Sequence, residues 1–440
     1  MRKYIALVLA LILMLGLVGC KEKTVNIDFP FEVGDVETIE LYRYAGAPVS
    51  AEKKVIDAEE TIKDLYDRFE GLTLKLKETE ETTRHRRKTV MTNRILGTDL
   101  SVSALGLGCM GFSHAYGAPT ERKEAVHAIR AAFDLGYTLF DTAEVYGTQD
   151  DPHDNERLVG EALQGIRDQV QIISKFGIRF DQTSPEVNKP LIPDARPATI
   201  RRAVEGSLQR LRTDHIDLYF QHRIDPEVEP ETVAEVMAAL IREGKITHWG
   251  ISEAGEDYLR RAHAVCPVTA VENRYSMMAR QYESLFPVLE ELRVGLVAFS
   301  PMANGFLTGA YGKESRFDPK LDYRSAMPQF TPQAMDQNQE LLALLRELAQ
   351  AKNATSAQIS LAWMLCKKPW IVPIPGSRRL DRMKENAGAA EVRLTPAEVA
   401  ALDRRLDAIP MSAVFGGSRV AARGSSGPTQ KEQTEKTVER

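Results

Sequence analysis

The sequence predicts an α/β protein: a (β/α)8 TIM barrel with an N-terminal β-hairpin, preceded by a signal peptide and a small α+β segment. Three observations predict it. Short apolar runs suited to buried strands alternate with helical patterns eight times over about 300 residues, the length of one such barrel. Polar residues with catalytic chemistry fall just past the ends of several of these runs. The glycine turn of a doubly wound nucleotide-binding sheet is missing from the place it would need. Gly106-x-Gly108-x-x-Gly111 has the spacing, but its glycines lie inside a strand and no helix opens directly after it.

With 440 residues the chain is long enough for a large core and more than one domain. Its apolar and charged fractions are those of an ordinary soluble globular protein. A formal charge of −5 gives no reason to expect nucleic acid as a partner. Cys20, Cys109, Cys266 and Cys366 lie far apart with no Cys-x-x-Cys, so neither a zinc site nor a disulfide framework is suggested.

The first ninety residues read separately. Arg2 and Lys3 precede an apolar run from Tyr4 to Val18, followed by Leu17-Val18-Gly19-Cys20. A basic start, an apolar core and small residues before a cut are the build of a secretory signal, and the run is short for a permanent span. With Cys20 directly after Gly19 the pattern resembles a bacterial lipoprotein signal over residues 1–20, which implies lipidation of the Cys20 thiol and a membrane anchor. The other reading is an uncleaved anchor helix. Residues 21–83 read as a small, incomplete α+β segment, with strands over Val25–Phe31 and Val36–Tyr44 and an amphipathic helix over Ala58–Glu70. Residues 84–91 form a basic linker, either solvated or facing anionic lipid. Met91 then begins what reads as an independent start.

From Thr92 to Val102 the pattern suits a hairpin turning at Gly97-Thr98-Asp99. The strands that follow are predicted at Leu105–Met110, Thr138–Asp141, Val170–Ser174, Ile216–Gln221, Ile246–Ile251, Val268–Glu272, Leu296–Ser300 and Ile371–Ile374. Between them helices are predicted at Arg122–Leu135, Glu156–Gln164, Ala198–Leu211, Glu231–Arg242, Glu256–Ala264, Gln281–Leu292 and Ser356–Cys366, with a last one at Leu380–Ala387. The barrel is expected over residues 92–417. From Ser418 to Arg440 the composition cannot bury a core, so a disordered tail is expected there.

In such a barrel function sits on the loops after the strands. Asp141, Lys175 and His222 stand at the ends of the second, third and fourth strands, and Tyr146 lies in the loop after the second. A phenol titrates near about 10, and a neighbouring ammonium lowers that value by favouring phenolate. Lys175 is expected to do this to Tyr146 while Asp141 holds Lys175 and His222 orients a carbonyl oxygen. Such a set protonates a developing alkoxide but carries no electrons of its own, so a hydride donor is implied. Taken singly, each residue has a plainer reading: a cap, a packing ring, a Schiff-base lysine, a structural histidine.

At this point residues 92 to about 417 resemble the aldo-keto reductase family. The motifs are Leu105-Gly106-Leu107-Gly108 with Met110-Gly111, Asp141-Thr142-Ala143-Glu144-Val145-Tyr146-Gly147 and Asn155-Glu156-Arg157-Leu158-Val159-Gly160. They continue with Ser174-Lys175-Phe176-Gly177, Asp217-Leu218-Tyr219-Phe220-Gln221-His222, Gly250-Ile251-Ser252, Phe299-Ser300-Pro301 and Ile374-Pro375-Gly376-Ser377. The resemblance implies Asp141, Tyr146, Lys175 and His222 as the catalytic four, with Tyr146 the general acid. It also implies a nicotinamide cofactor across the barrel mouth and a small carbonyl compound as substrate, with no obligate protein partner.

Contacts to that cofactor are implied at Gly108, Cys109 and Met110; at Ser252, Glu253 and Glu272 around the carboxamide; and at Ser300, Met302, Asn304, Gly305 and Leu307 over the pyrophosphate. Ile374, Gly376, Ser377, Arg378, Arg382, Glu385 and Asn386 match the segment for the adenosine 2′-phosphate and adenine. A guanidinium grips phosphate bidentately, so Arg382 and Arg378 favour NADPH over NADH. The same basic residues also suit a solvated helix face, and Ser377 suits a helix cap.

Glu272 and Glu253 depart from the family's usual Gln and Asn; ionised, Glu272 accepts hydrogen bonds but donates none. His153 among Asp150, Asp151 and Asp154 reads as a metal set or as a solvated loop, and the second is adopted. Tyr116, Phe176, Phe180 and Tyr311 are apolar-pocket candidates. Function is expected to be NADPH-dependent reduction of an aldehyde or ketone. A redox-sensing nucleotide-binding module and a surface lipoprotein displaying an inactive barrel are the other readings. The two ends imply different compartments, a lipid-anchored start and a barrel of cytoplasmic type, which reads as a fused frame.

Overall fold

The computed structural model describes residues 91–421, apart from 149, 150 and 187, and the backbone of four short strands between residues 24 and 75. The chain divides into two compact units, residues 1–87 and 88–440. In the first, β1 (Thr24–Asn26) pairs antiparallel with β4 (Thr73–Lys75), and β2 (Ile39–Tyr44) with β3 (Ala51–Ile56). The strand at Ala51–Ile56 is additional to those expected. The lipobox, the helix over residues 58–70 and the basic linker lie outside the described residues, as does the tail beyond 421. No helix among the described residues is long and apolar enough to cross a membrane.

The second unit opens with β5 (Asn93–Leu96) and β6 (Leu100–Ser103), paired antiparallel around a turn in which Gly97 has φ +63°. Eight parallel strands follow: β7 (Leu107–Gly108), β8 (Leu139–Asp141), β9 (Gln171–Phe176), β12 (Ile216–Gln221), β13 (Ile246–Ser252), β14 (Ala270–Arg274), β15 (Gly295–Phe299) and β16 (Ile371–Pro373). The sheet curls until its ends meet, where Gly106 N–H donates to Pro373 O at 2.9 Å. Leu139, Ile173, Leu218, Phe220, Ala270, Val297 and Val372 fill its interior with Leu96, Leu100 and Val102 of the β5–β6 hairpin. Each such buried aliphatic side chain contributes about 1.5–3 kcal/mol. Gly250 is required in β13, because a Cβ there would fall 2.3 Å from the Phe220 ring.

Helices α1 (Arg122–Asp134), α2 (Asp154–Leu163), α3 (Pro197–Leu211), α4 (Pro230–Arg242), α5 (Glu256–Val265) and α6 (Phe286–Leu292) cover the outer face, their apolar sides in the larger core cluster. Proline opens α3 and α4, where its missing N–H costs no helical bond. The single helix expected over Gln281–Leu292 is a 3-10 turn to Leu285 and then α6, with Pro287 in the first turn.

The first barrel strand is shorter than predicted. Met110 already belongs to a 3-10 turn, Met110–Phe112, as the chain leaves the sheet toward the cavity. Between β15 and β16 run α7 (Pro332–Gln337), α8 (Gln339–Ala351) and α9 (Ser356–Lys367). After β16 come α10 (Leu380–Ala387) and α11 (Pro396–Ala408). α7, α8 and α11 add to the expected set, and the two longer ones leave signals: Leu341, Leu342, Leu344 and Leu345 on α8, a Thr395–Glu398 capping box on α11.

Two loops are more ordered than the sequence suggests. Across residues 178–193, β10 (Ile178–Phe180) and β11 (Leu191–Pro193) form a hairpin. Val420 bridges to Leu191, with Leu191 N–H donating to Arg419 O at 2.7 Å and Ala421 N–H to Leu191 O at 2.8 Å. Residues 418–421 are therefore a strap on that hairpin rather than the start of a disordered tail. Backbone bonding supplies order there, with Ser418 Oγ also donating to Asn188 Oδ1.

Candidate active site

The hydrogen-bond ladder continues past the end of β8. Thr142 N–H donates to Ile173 O (2.9 Å) and Glu144 N–H to Lys175 O (3.2 Å), so the loop leaves the sheet in a fixed direction. Ser113 Oγ then donates to Tyr146 O at 2.7 Å, and His114 Nδ1 lies 2.9 Å from Gly147 O. These bonds fix the Tyr146 backbone before any substrate arrives.

Lys175 is fully buried. Its Nζ donates to Asp141 Oδ1 and to Thr142 O (3.0 Å), lies 3.3 Å from Glu272 Oε1 and sits 4.8 Å from the Tyr146 ring centroid. Tyr146 Oη is 3.4 Å from His222 Nε2. Asp141, Lys175, Tyr146 and His222 thus converge. Burial opposes the charge on Lys175, but Asp141 and Glu272 outweigh it and hold its pKa above the ordinary value. Burial raises Asp141, against the pull of Lys175.

Tyr146 differs from expectation. Burial pushes its pKa above the ordinary phenol value, and the opposing effect of Lys175 is smaller. Position over the ring gives Lys175 a partial effect, whereas loss of water around the phenolate acts in full. His222 is driven well below its ordinary value by burial, then by Arg223 and Lys175, and is neutral.

A cavity of about 580 Å³ opens above these groups, a size suited to a small-molecule site. Asp141, Tyr146 and His222 line it, while Lys175 lies beneath. Of the residues expected to hold a nucleotide, Gly108, Met110, Ser252, Glu272, Ser300, Met302, Asn304 and Gly305 line it. So do Ile374, Gly376, Ser377, Arg378, Arg382, Glu385 and Asn386. Three expected residues do not. Cys109 is fully buried with its thiol toward Leu107 O, because the chain turns there into the Met110–Phe112 turn. Leu307 is buried in the core. Glu253 pairs instead with Arg274 (2.9 Å) and Arg223 (3.4 Å).

At the far end Arg378 donates to Ala118 O (2.7 Å) and Tyr116 O, so it ties two loops together. Arg382 pairs with Glu385 at 2.5 Å. Ser377 Oγ accepts from Arg379 N–H at 3.1 Å, which forms a turn rather than a cap on α10. Tyr116, Phe180 and Tyr311 line the cavity; Phe176 does not, being fully buried against Tyr219. His153 Nδ1 lies 2.5 Å from Glu144 O, and no metal-holding cluster of His, Cys, Asp and Glu exists among the described residues.

Sequence reasoning missed His114 and Arg223. His114 stands 5.2 Å from Phe180 and 5.3 Å from Tyr323, ring to ring, and burial lowers its pKa to about 4. Arg223 lines the cavity, its Nη1 donating to His222 O (2.6 Å) and Ser252 Oγ (3.1 Å). Its one sequence signal is adjacency to His222.

A buried phenol beside an ammonium–carboxylate pair, in a pocket at the strand ends of a parallel barrel, is a site for proton transfer that carries no electrons of its own. The chain belongs to the aldo/keto reductase family, whose family model matches residues 104–407. It is similar to a "Probable aldo-keto reductase 1" of Glycine max, 37% identical over 325 residues, covering 73% of this chain and 90% of that protein. Among solved structures it is similar to a glycerol dehydrogenase from Gluconobacter oxydans: TM-score 0.65, 26% identity, 74% of this chain and 98% of that one. An aldo-keto reductase from Klebsiella pneumoniae in complex with NADPH gives TM-score 0.56 and 26% identity, over 73% of this chain and 96% of that one.

Proposed function

We propose that this enzyme reduces an aldehyde or ketone to the alcohol, with NADPH as hydride donor and Tyr146 as proton donor. The observation that carries the reading is Lys175 held by Asp141 beneath a phenol whose hydroxyl faces a neutral His222. The cavity residues fit the cofactor. At one end Glu272 Oε2 is a buried polar atom with no partner. At the other, residues 377–386 carry four basic and two acidic side chains, an excess suited to a phosphate. NADPH, when bound, supplies the hydride.

The protein's own groups handle the proton. Burial keeps it on Tyr146 until an alkoxide, a stronger base than phenolate, develops next to the hydroxyl. Lys175 then stabilises the phenolate left behind. Asp141 holds Lys175 in place, and His222 donates to the carbonyl oxygen and aligns it.

The N-terminal reading rests on sequence alone. Leu17-Val18-Gly19-Cys20 supports a lipid anchor at Cys20, which would place a barrel of cytoplasmic type at a bacterial membrane. Finding the barrel only in the soluble fraction of cells would remove that part.

The main test uses the full chain: NADPH binding by fluorescence titration, and NADPH consumption with a panel of aldehydes and ketones. Binding with turnover of some members is expected. Binding with no turnover across the panel favours the redox-sensing module, and no binding overturns both.

A further inference from the structure

Glu272 is the third residue of β14, opposite Ser252 of β13 and Val297 of β15, and its side chain reaches the floor of the cavity. Two carboxylates meet one ammonium there. Lys175 Nζ donates to Asp141 and lies 3.3 Å from Glu272 Oε1, all three side chains being at most 4% exposed. With both carboxylates ionised, two buried negative charges would share one ammonium, since Arg223 faces Glu253, and that is a costly arrangement. Asp141 receives the hydrogen bond from Lys175, so the spare proton belongs to Glu272. Its Oε2 is buried, has no partner and belongs to a residue lining the cavity.

We propose that Glu272 works as a neutral acid that donates from Oε2 to the nicotinamide carboxamide, and that its ionisation discriminates the oxidised from the reduced cofactor. This rests on the nucleotide reading above. A protonated carboxyl accepts at one oxygen and donates at the other, as a side-chain amide does, whereas a carboxylate only accepts. Neutral Glu272 therefore offers a donor to the carboxamide of either form and no charge to the ring. Ionised Glu272 withdraws that donor and places a negative charge beside the ring, which favours the cationic oxidised form.

Burial, then Asp141, pushes the Glu272 pKa up to about 8, with Lys175 and Arg223 opposing. Groups acting on Glu272 are Asp141 at the end of β8, Tyr146 in its loop, Lys175 of β9 and Arg223 after β12; His222 lines the same cavity, and Glu253 and Arg274 pair with each other. Tyr146 and Lys175 are held above, and His222 well below, their ordinary values. The sign follows. Below about pH 8 Glu272 is mostly neutral and lends the cationic ring no charge; as pH rises through about 8 it ionises, and preference moves toward NADP+. The 2′-phosphate is common to both forms, so its titration cancels in the ratio of their dissociation constants. Glu144 is also pushed up to about 8, by burial and then by Glu156, and needs its own control.

The test is to titrate the full chain with NADPH and with NADP+ from pH 6.5 to 9.5. The ratio Kd(NADP+)/Kd(NADPH) is expected to fall about tenfold across that range, a modest effect for a charge at this distance. It should become pH-independent in Glu272→Gln and remain pH-dependent in Glu144→Gln. Calorimetry of the unaltered protein at pH 8, in buffers of different ionisation enthalpy, should show up to about half a proton released with NADP+ and up to about half a proton taken up with NADPH. A ratio flat with pH, or binding of both forms without proton exchange, overturns the role of Glu272. Failure of either nucleotide to bind at any pH overturns the nucleotide reading instead.

Discussion

The two ends of the cavity are built in opposite ways. At the proton-handling end Asp141, Lys175 and His222 are 3%, 0% and 5% exposed and project from three adjacent strands. At the phosphate end the Arg379 and Arg382 side chains are 68% and 43% exposed and stand around the start of α10, each already paired with a neighbouring carboxylate. Burial makes the first end sensitive, because a charge there has no water to replace a lost partner. Exposure makes the second forgiving and sensitive to salt. The contrast ranks the substitutions that would break it.

Tyr146→Phe should give the largest effect, because Tyr146 is the hydroxyl that sits beside both Lys175 and His222, and neither histidine nearby is an imidazolium. Burial holds His222 neutral and draws His114 down to about 4. Turnover should fall by about 10²–10⁴. NADPH affinity should change little, as the hydroxyl faces His222 rather than the basic end. Turnover within threefold of the original would remove Tyr146 from its role. Steady-state kinetics beside a binding titration reads both quantities.

Lys175→Met comes next and is visible without any substrate. It leaves Asp141 and Glu272 buried without their shared cation, and breaking a buried pair from one side costs about 3–5 kcal/mol. Asp141 then escapes the penalty by taking a proton, as Glu272 already has below about pH 8. The loss of stability in urea should therefore be larger at pH 8 than at pH 5. Equal losses at the two pH values would mean that the lost packing, not the charge, is what matters.

Arg382→Ala tests the exposed end. NADPH binding should weaken by about 1.5–3 kcal/mol, the range for a hydrogen bond to a charged group, with NADH binding unchanged. The difference should shrink as ionic strength rises, since the side chain is exposed. Equal weakening of NADH would place Arg382 at a shared part of the nucleotide.

The same contrast explains what the sequence made legible. Parallel strands covered on both faces read as apolar runs, so their ends, and with them Asp141, Lys175 and His222, stand out. The balance of burial against charge is not written in residue order. The upward shift of Tyr146 and the contact of Glu272 with Lys175 appear only when β8, β9 and β14 are brought together. Arg223 was overlooked because one arginine beside a histidine carries no pattern. The strap at residues 418–421 was invisible for another reason. It is held by backbone bonds to Leu191, more than two hundred residues earlier, and its side chains look like those of any polar tail.

The smallest effect should come from the bridge between the two ends. Asn304 Nδ2 donates to Tyr116 Oη at 2.9 Å, joining the loop after β15 to the loop after β7, and Gln329 Nε2 donates to Asn304 Oδ1 at 3.1 Å. Asn304 sits at φ +60°, a left-handed conformation that asparagine tolerates better than alanine. Asn304→Ala therefore loses the bridge and strains the loop, without touching Lys175 or the basic residues of α10. Release of NADPH should quicken about fivefold, equivalent to about 1 kcal/mol for one neutral hydrogen bond. Rapid-mixing displacement of bound NADPH measures this directly. If Asn304→Gly, which removes the bridge but relieves the backbone, releases NADPH as slowly as the unaltered protein, then strain is what quickens release in the alanine variant. If both variants release it equally fast, the side-chain bridge is what retains the nucleotide.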